Sequence, residues 1–177
     1  MYYQKQLEDL HAPISFLILN NKLIKKFKSI QSHEISKYST YSIITLSHSA
    51  VIYVGMIFDK TNKSSSLKKF DQLIKNGKIR ITEHEKWNLL FSTTYDNAKQ
   101  IINLRNKFHA HKESKFNIND FWIENPDEFE KLPLIAQNCK EMYNLLTQNL
   151  LGYLLDFDSL ENKILSQFDI IFKEYDN

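Results

Sequence analysis

Apolar residues recur every three to four positions along most of this chain, which is the spacing of one buried face of an α-helix. The first such stretch contains Phe16, Leu17 and Leu23, and Pro13 is expected to start or kink its helix. A second apolar helix is expected over about 38–58. No run of alternating apolar and polar residues predicts a β-strand. The pattern therefore predicts a helical protein.

Capping residues divide the middle of the chain into two further helices. Three serines at 64–66 offer N-caps for a short helix over 67–76, which Gly77 would end. Thr82, followed three residues later by a glutamate, forms a capping-box pattern. This pattern opens a long helix over about 83–111.

The C-terminal part, about 126–173, predicts acidic helices with clear start signals. Asn125 caps a short helix that has Pro126 at its first position and acids in its first turn. Pro133 ends that helix or opens the next one, which is expected to run to about residue 155. Asp158, with a glutamate three residues later, starts the last helix. The sequence thus predicts an all-α, up-and-down bundle of four to five main helices, mostly antiparallel.

Composition narrows the class of protein. A chain of 177 residues suffices for one domain, predicted to cover residues 1–177, and three Gly and three Pro are too few for the turns of a β-sandwich or barrel. Cys139 is the only cysteine, which excludes an intramolecular disulfide and a cysteine-based zinc site and favours a reducing compartment. The N-terminal sequence lacks a secretory signal, and Ser, Thr and His interrupt the apolar stretch over 41–58. We therefore expect a cytoplasmic protein with no membrane contact and no cofactor.

Charge is distributed unevenly along the chain, although the net charge is only +2. Residues 1–119 contain 19 Lys and Arg against 9 Asp and Glu, whereas residues 120–177 contain 4 against 12. This polarity is expected of a basic surface for an anionic partner, shielded by or paired with an acidic segment. It is equally typical of a bundle with one basic and one acidic side.

Arg105 occupies an unexpected position on the long predicted helix. At about 100° per residue it falls within the apolar stripe formed by Tyr95, Ala98, Ile101 and Phe108. An arginine is rarely buried without a partner. An internal carboxylate, a subunit interface or a functional cleft must therefore compensate its charge.

The choice of arginine at this position is itself informative. Of 23 basic residues only Arg80 and Arg105 are arginines, so this one indicates a need for the planar guanidinium that binds carboxylate or phosphate through two hydrogen bonds. His109 lies one turn beyond Arg105 and His111 six residues beyond it. An arginine, a histidine and the amide of Asn106 can cleave RNA without a metal, because histidine transfers protons near neutral pH and arginine stabilises phosphate charge.

A structural interpretation of the same residues remains open. Arg105 could pair with a structural acid, while His109 and His111 lie on a solvated helix end. The two histidines could also form a metal pair, but no nearby acid or cysteine completes a metal site at the usual spacing, so we predict no metal.

The motif resembles that of the HEPN superfamily (higher eukaryote and prokaryote nucleotide-binding domains), in which an arginine and a polar residue precede a histidine by a short gap. The segment from Leu104 to His111 looks especially like the HEPN-like domain of the abortive-phage-infection family of type U, second component. That family also has an apolar second helix ending in Phe-Asp-Lys, here Phe58-Asp59-Lys60, followed by a Ser-Leu helix, here Ser66-Leu67. The resemblance spans roughly residues 38–115.

The resemblance implies a helical bundle that forms a homodimer, with two Arg-His motifs facing each other across an interface cleft. It also implies a metal-independent endoribonuclease that acts in phage defence or as a toxin, on RNA such as tRNA or mRNA, with a possible antitoxin protein as partner. Arg105 would bind the phosphate, His111 would be the general acid and base, and Asn106 would be a polar helper. Asp59 and His109 would be supporting residues. The lysines expected to contact RNA are Lys60, Lys107 and Lys112.

A second function from a different class fits the sequence as well. Apolar helix faces and charge polarity are also typical of a non-catalytic helical module that dimerises, or that binds a partner protein or RNA without cleaving it.

Overall fold

The computed structural model describes residues 3–29, 33–59, 65–110, 126–154 and 157–173. These residues contain no β-strand, and the prediction of an all-α bundle is confirmed. Five helices of 16 or more residues are joined by two shorter ones. They are α1 (Gln4–Lys28), α2 (His33–Ile57), α3 (Leu67–Lys75), α4 (His84–Ala110), α5 (Pro126–Glu130), α6 (Leu132–Leu151) and α7 (Asp158–Lys173).

The helices α1, α2, α4 and α6 form the centre of the bundle, because α1 and α4 each pack against both α2 and α6. Neighbouring helices run antiparallel. On α1 and α2, the Phe16 ring stacks on Tyr53 at 5.4 Å between centroids, and the Asn20 amide donates to the Leu46 carbonyl at 3.1 Å. From the first pair to the second, the residue number rises along α1 and falls along α2, as antiparallel packing requires.

The same arrangement joins α4 to α6. The Asn138 amide donates to the Thr94 hydroxyl at 2.9 Å inside the core, and Lys131 binds Gln100 one and a half turns further along. The side chains buried most completely include the following large ones: Leu7, Leu10, Ile14, Leu17, Ile57, Phe58, Leu67, Phe70, Trp87, Ile101, Leu132 and Tyr143.

A buried carboxylate fixes α3 against the start of α4. Asp71 is only 4% exposed, accepts a hydrogen bond from the Trp87 indole at 3.2 Å and pairs with Lys75 at 2.8 Å. Burial of a charge is tolerated where such partners satisfy it. The short helix is thereby held beside the region where α2 meets α4.

Most of the sequence-based boundaries agree with the structure. The Ser66 hydroxyl accepts from the Lys69 backbone N–H at 3.2 Å, as expected of an N-cap, and Gly77 follows α3 with a φ of +67°. Two boundaries differ: α2 begins at His33 rather than at about residue 38, and α6 ends at Leu151 rather than at about residue 155, because Gly152 adopts a left-handed φ of +79°. Pro13, expected to start or kink the first helix, lies buried within α1.

One helical segment, Tyr38–Ile57, has the length and apolar composition that could cross a membrane. Only about 33% of it is buried, and it lies within α2, which packs against α1 and α4. The prediction that the protein does not contact a membrane stays a prediction.

His11 lies in an aromatic environment between α1, α6 and the start of α7. Its ring stacks on Phe157 at 4.8 Å and lies 5.7 Å from the Tyr143 ring, and its Nε2 is buried without a hydrogen-bond partner in the described chain. Burial lowers the pKa of His11 below its usual value of 6.5 because the imidazolium would lose hydration.

This lowered pKa predicts that acid destabilises the fold. The unfolded chain gains a proton on His11 as the pH falls below about 6.5, whereas the folded chain resists it, so the free energy of unfolding should decrease from there down to the folded pKa. Urea unfolding from about pH 7.5 to about pH 5 measures this slope. His11→Phe retains an aromatic ring and removes the titration, so its slope should be smaller. An unchanged slope in this variant would contradict the assignment.

Candidate functional site

Aromatic packing brings the end of α2 against the middle of α4. The Phe58 ring lies 6.3 Å from Phe91 and 5.9 Å from Tyr95, and the last two stack on each other at 5.5 Å. Phe58 is almost completely buried, so this cluster fixes the angle and distance between the two helices. The candidate site lies directly beside it.

A small cavity of about 160 Å³ opens between these two helices. Its wall combines apolar and aromatic groups with two cationic side chains, one carboxylate and two amides. The lining residues are Gly55, Phe58, Asp59, Tyr95, Lys99, Ile102, Asn103, Arg105 and Asn106. The structure therefore brings together three of the residues expected from sequence, namely Arg105, Asn106 and Asp59.

Gly55 provides the space in which the Arg105 side chain lies. A Cβ built on Gly55 would come within 2.8 Å of Arg105 Cζ and 2.9 Å of Arg105 Cδ, and closer still to Nη1. Real Cβ atoms do not approach heavy atoms so closely. The guanidinium therefore crosses the bare backbone of α2 at the one position in that helix that lacks a side chain.

The Arg105 residue is half-buried. Its Nε is buried and has no hydrogen-bond partner in the part of the chain that the structure describes. The apolar stripe predicted around it is present, since Ala98 and Ile101 are fully buried. A buried donor of a charged group without a partner is costly. An anionic ligand in the cavity would offset this cost by neutralising the guanidinium.

Asp59 follows α2 at the edge of this cavity. Its backbone carbonyl accepts a hydrogen bond from the Ser66 hydroxyl at 2.9 Å, and Ser66 in turn caps α3. The start of α3 thus holds Asp59 where α2 ends. The structure places Asp59 in the same cavity as Arg105, and its role as a supporting residue stays a prediction.

Tyr95 connects the cavity to a second lysine. Lys68 on α3 donates a hydrogen bond to the Tyr95 hydroxyl at 3.0 Å, and the same ammonium lies 5.1 Å from the centre of the Tyr95 ring. Lys99, one turn after Tyr95, is exposed and lines the cavity. The cavity and its margin therefore carry three cationic side chains, Lys68, Lys99 and Arg105, beside the single carboxylate of Asp59.

Several of the predicted residues cannot be placed. His111, Lys60 and Lys112 lie outside the described residues, and so do the side chains of Lys107 and His109. Their proposed roles stay predictions.

His48 lies on α2 and is the histidine of that helix whose side chain the structure describes. It precedes Gly55 by seven residues, so the two residues share one side of the helix. Burial lowers the pKa of His48 because the imidazolium would lose hydration.

Other kinds of site receive no support in the described residues. No group of three or more His, Cys, Asp or Glu among them could hold a metal ion. Cys139 is fully buried in the core, and burial raises the pKa of its thiol, so the nucleophilic thiolate is disfavoured.

Gly55, Tyr95 and Lys99 were not predicted from the sequence as residues of this site. A glycine inside an apolar stretch predicted to be helical is a detectable signal, because glycine is disfavoured in helices and this chain has only three. Tyr95 belongs to the predicted apolar stripe of the long helix, and no sequence pattern shows that it also contacts Lys68.

No protein-family model, curated protein or solved structure matches the chain.

Proposed function

We propose that this protein is an endoribonuclease of the HEPN type that cleaves RNA without a metal ion. The observation that carries the proposal is the Arg105 guanidinium, which lies over Gly55 in a small cavity and whose Nε has no hydrogen-bond partner among the described residues. A phosphodiester in this cavity would neutralise the guanidinium, because guanidinium binds phosphate oxygens through paired hydrogen bonds. The amide of Asn106, which also lines the cavity, adds a further donor.

The proposed reaction uses the 2′-hydroxyl of the RNA as nucleophile. A histidine removes the 2′-hydroxyl proton, the oxygen attacks phosphorus, and the bond from phosphorus to the 5′-oxygen breaks. The leaving oxygen takes up a proton, so the products are a 2′,3′-cyclic phosphate and a 5′-hydroxyl. Arg105 stabilises the charge on the phosphorane, and the resemblance assigns the proton transfer to His111.

A homodimer is part of the proposal, and the surface of α2 supports it. Four large apolar side chains on one face of this helix are 47–75% exposed, namely Tyr38, Tyr41, Ile52 and Met56. Exposed apolar surface of this kind is typical of an interface. Met56 adjoins Gly55, so a second subunit on this face would lie beside the Arg105 cavity and could bring its own motif close. Phage defence or toxicity would be the biological setting.

The test is cleavage of a labelled RNA oligonucleotide by the purified protein in excess EDTA. We expect strand cleavage with cyclic-phosphate ends, and no cleavage of DNA of the same sequence, because DNA lacks the 2′-hydroxyl. A substrate with one 2′-deoxy nucleotide at the cleavage position should be equally resistant.

Two outcomes would contradict the proposal. Cleavage that requires Mg²⁺ or proceeds on DNA would indicate a different chemistry. RNA binding without cleavage, under conditions where the protein is folded and dimeric, would leave the alternative of a non-catalytic RNA-binding module. His111→Ala is the matched variant, and cleavage that survives it would remove this histidine from the mechanism.

A further inference from the structure

The cationic side chains around Tyr95 carry more positive charge than one phosphate would neutralise. Arg105 and Lys99 line the same cavity, and Tyr95 joins that cavity to Lys68 through a hydrogen bond and a ring contact. Asp59 is the only acidic side chain in the lining. One phosphodiester bound at Arg105 would leave this row of cations with unneutralised positive charge.

The spacing of the cations matches a chain of phosphates better than a single group. Lys99 precedes Arg105 by six residues, which corresponds to about 9 Å along the axis of α4. Cations separated in this way along one helix can bind successive phosphates of an extended strand. Lys68 lies further along the same direction, beside Tyr95.

The contacts of Tyr95 explain why Lys68 takes part. A lysine side chain is flexible, and holding it in one place costs conformational entropy. The Tyr95 hydroxyl and ring hold the Lys68 ammonium on the side of α4 that carries Lys99, so part of this cost is met before a ligand binds.

We propose that Lys99, with Lys68 positioned by Tyr95, forms a second phosphate subsite next to the Arg105 cavity. The inference rests on the proposed function, and it specifies the substrate as single-stranded RNA with at least two consecutive phosphates. The strand runs along α4 from Arg105 towards Tyr95. An isolated internucleotide linkage is therefore a poor substrate.

The experiment measures binding rather than cleavage. The probes are a 2′-O-methyl dinucleotide with one internal phosphate, and the same dinucleotide with an added 5′-phosphate or an added 3′-phosphate. These probes resist cleavage because the nucleophile is blocked. For the wild-type protein we expect one of the two added phosphates to tighten binding about ten-fold, the size of one charge-assisted contact. Whether the 5′-phosphate or the 3′-phosphate tightens binding shows in which direction the strand runs along α4.

Substitutions test whether this gain in affinity comes from the proposed subsite. Lys99→Ala should lose most of the ten-fold gain while still binding the one-phosphate probe, and Lys68→Ala should lose part of it. Lys78→Ala is the control, since this lysine is exposed in the connection between α3 and α4, away from the lining. A gain that is the same in Lys99→Ala as in the wild type, or no gain from either phosphate, would overturn the subsite.

Failure of the subsite can be told apart from failure of the proposed function. If RNA is cleaved but Lys99 does not affect the gain, only the subsite is wrong. If the gain depends on Lys99 but RNA is not cleaved, the subsite stands and the protein binds RNA without cutting it.

Discussion

Arg105→Ala is expected to reduce the rate of RNA cleavage about 100- to 1,000-fold, the usual effect of removing one donor that stabilises transition-state charge. The loss should appear mainly in kcat, because the guanidinium gains most as charge develops on the phosphorane. Arg105→Lys should recover little of it, since an ammonium lacks the planar pair of donors. Single-turnover cleavage of a defined RNA oligonucleotide measures the change.

The chain contains a matched control for this substitution. Arg80, the only other arginine, is exposed between α3 and α4, so Arg80→Ala removes the same charge outside the cavity. Its cleavage rate should stay within about two-fold of the wild type. Arg105→Ala should remain folded, because the lost Nε leaves no described partner unsatisfied. Equal loss in both variants would point to general electrostatics and would contradict a specific role for Arg105.

Gly55→Ala is expected to abolish most of the activity without touching a reactive group. The added methyl would overlap the Arg105 guanidinium, and the end of a flexible side chain moves more readily than the backbone of two packed helices. Arg105 would then leave its place in the cavity, and cleavage should fall about as far as in Arg105→Ala. Circular dichroism should show an intact helical fold.

A double-mutant cycle separates this explanation from a general packing defect. When Gly55→Ala is made in the wild-type background, the added methyl group competes with the guanidinium for space. In the Arg105→Ala background the same space is free. There Gly55→Ala should be neutral or slightly stabilising, because alanine favours the helix more than glycine does and Gly55 lies in the last turn of α2. The effect of Gly55→Ala on the free energy of unfolding should therefore differ between the two backgrounds by about 1–3 kcal/mol. Additive effects would show that Gly55 and Arg105 do not interact.

Local sequence signals predicted the helices because each one acts over a few residues. Ser66 as an N-cap, Pro126 at a first helical position and Gly77 after α3 all lie where the pattern placed them. Pro13 was harder to interpret. A proline can be tolerated inside a long helix where packing compensates the lost hydrogen bond, and Pro13 is buried within α1. Tertiary contacts of that kind leave no trace in local spacing.

The candidate site was only partly predictable, for a similar reason. Arg105 was conspicuous because a charged residue interrupts an apolar stripe on its own helix. Gly55 and Lys68 belong to other helices, and nothing in the sequence indicates that α2 leaves room for Arg105 or that α3 brings a lysine to Tyr95. Such pairings depend on the distance and angle between helices, which the packing of Phe58 against Phe91 and Tyr95 determines.

The central claim, that the Arg105 guanidinium binds a phosphodiester, can be measured directly by nitrogen-15 NMR of the arginine Nε–H groups. The chain gives two such resonances, and Arg80→Lys assigns them. On titration with a non-cleavable 2′-O-methyl RNA, the Arg105 resonance should shift and exchange more slowly with water, while the Arg80 resonance stays unchanged. An Arg105 resonance that does not move while the RNA binds would contradict the account.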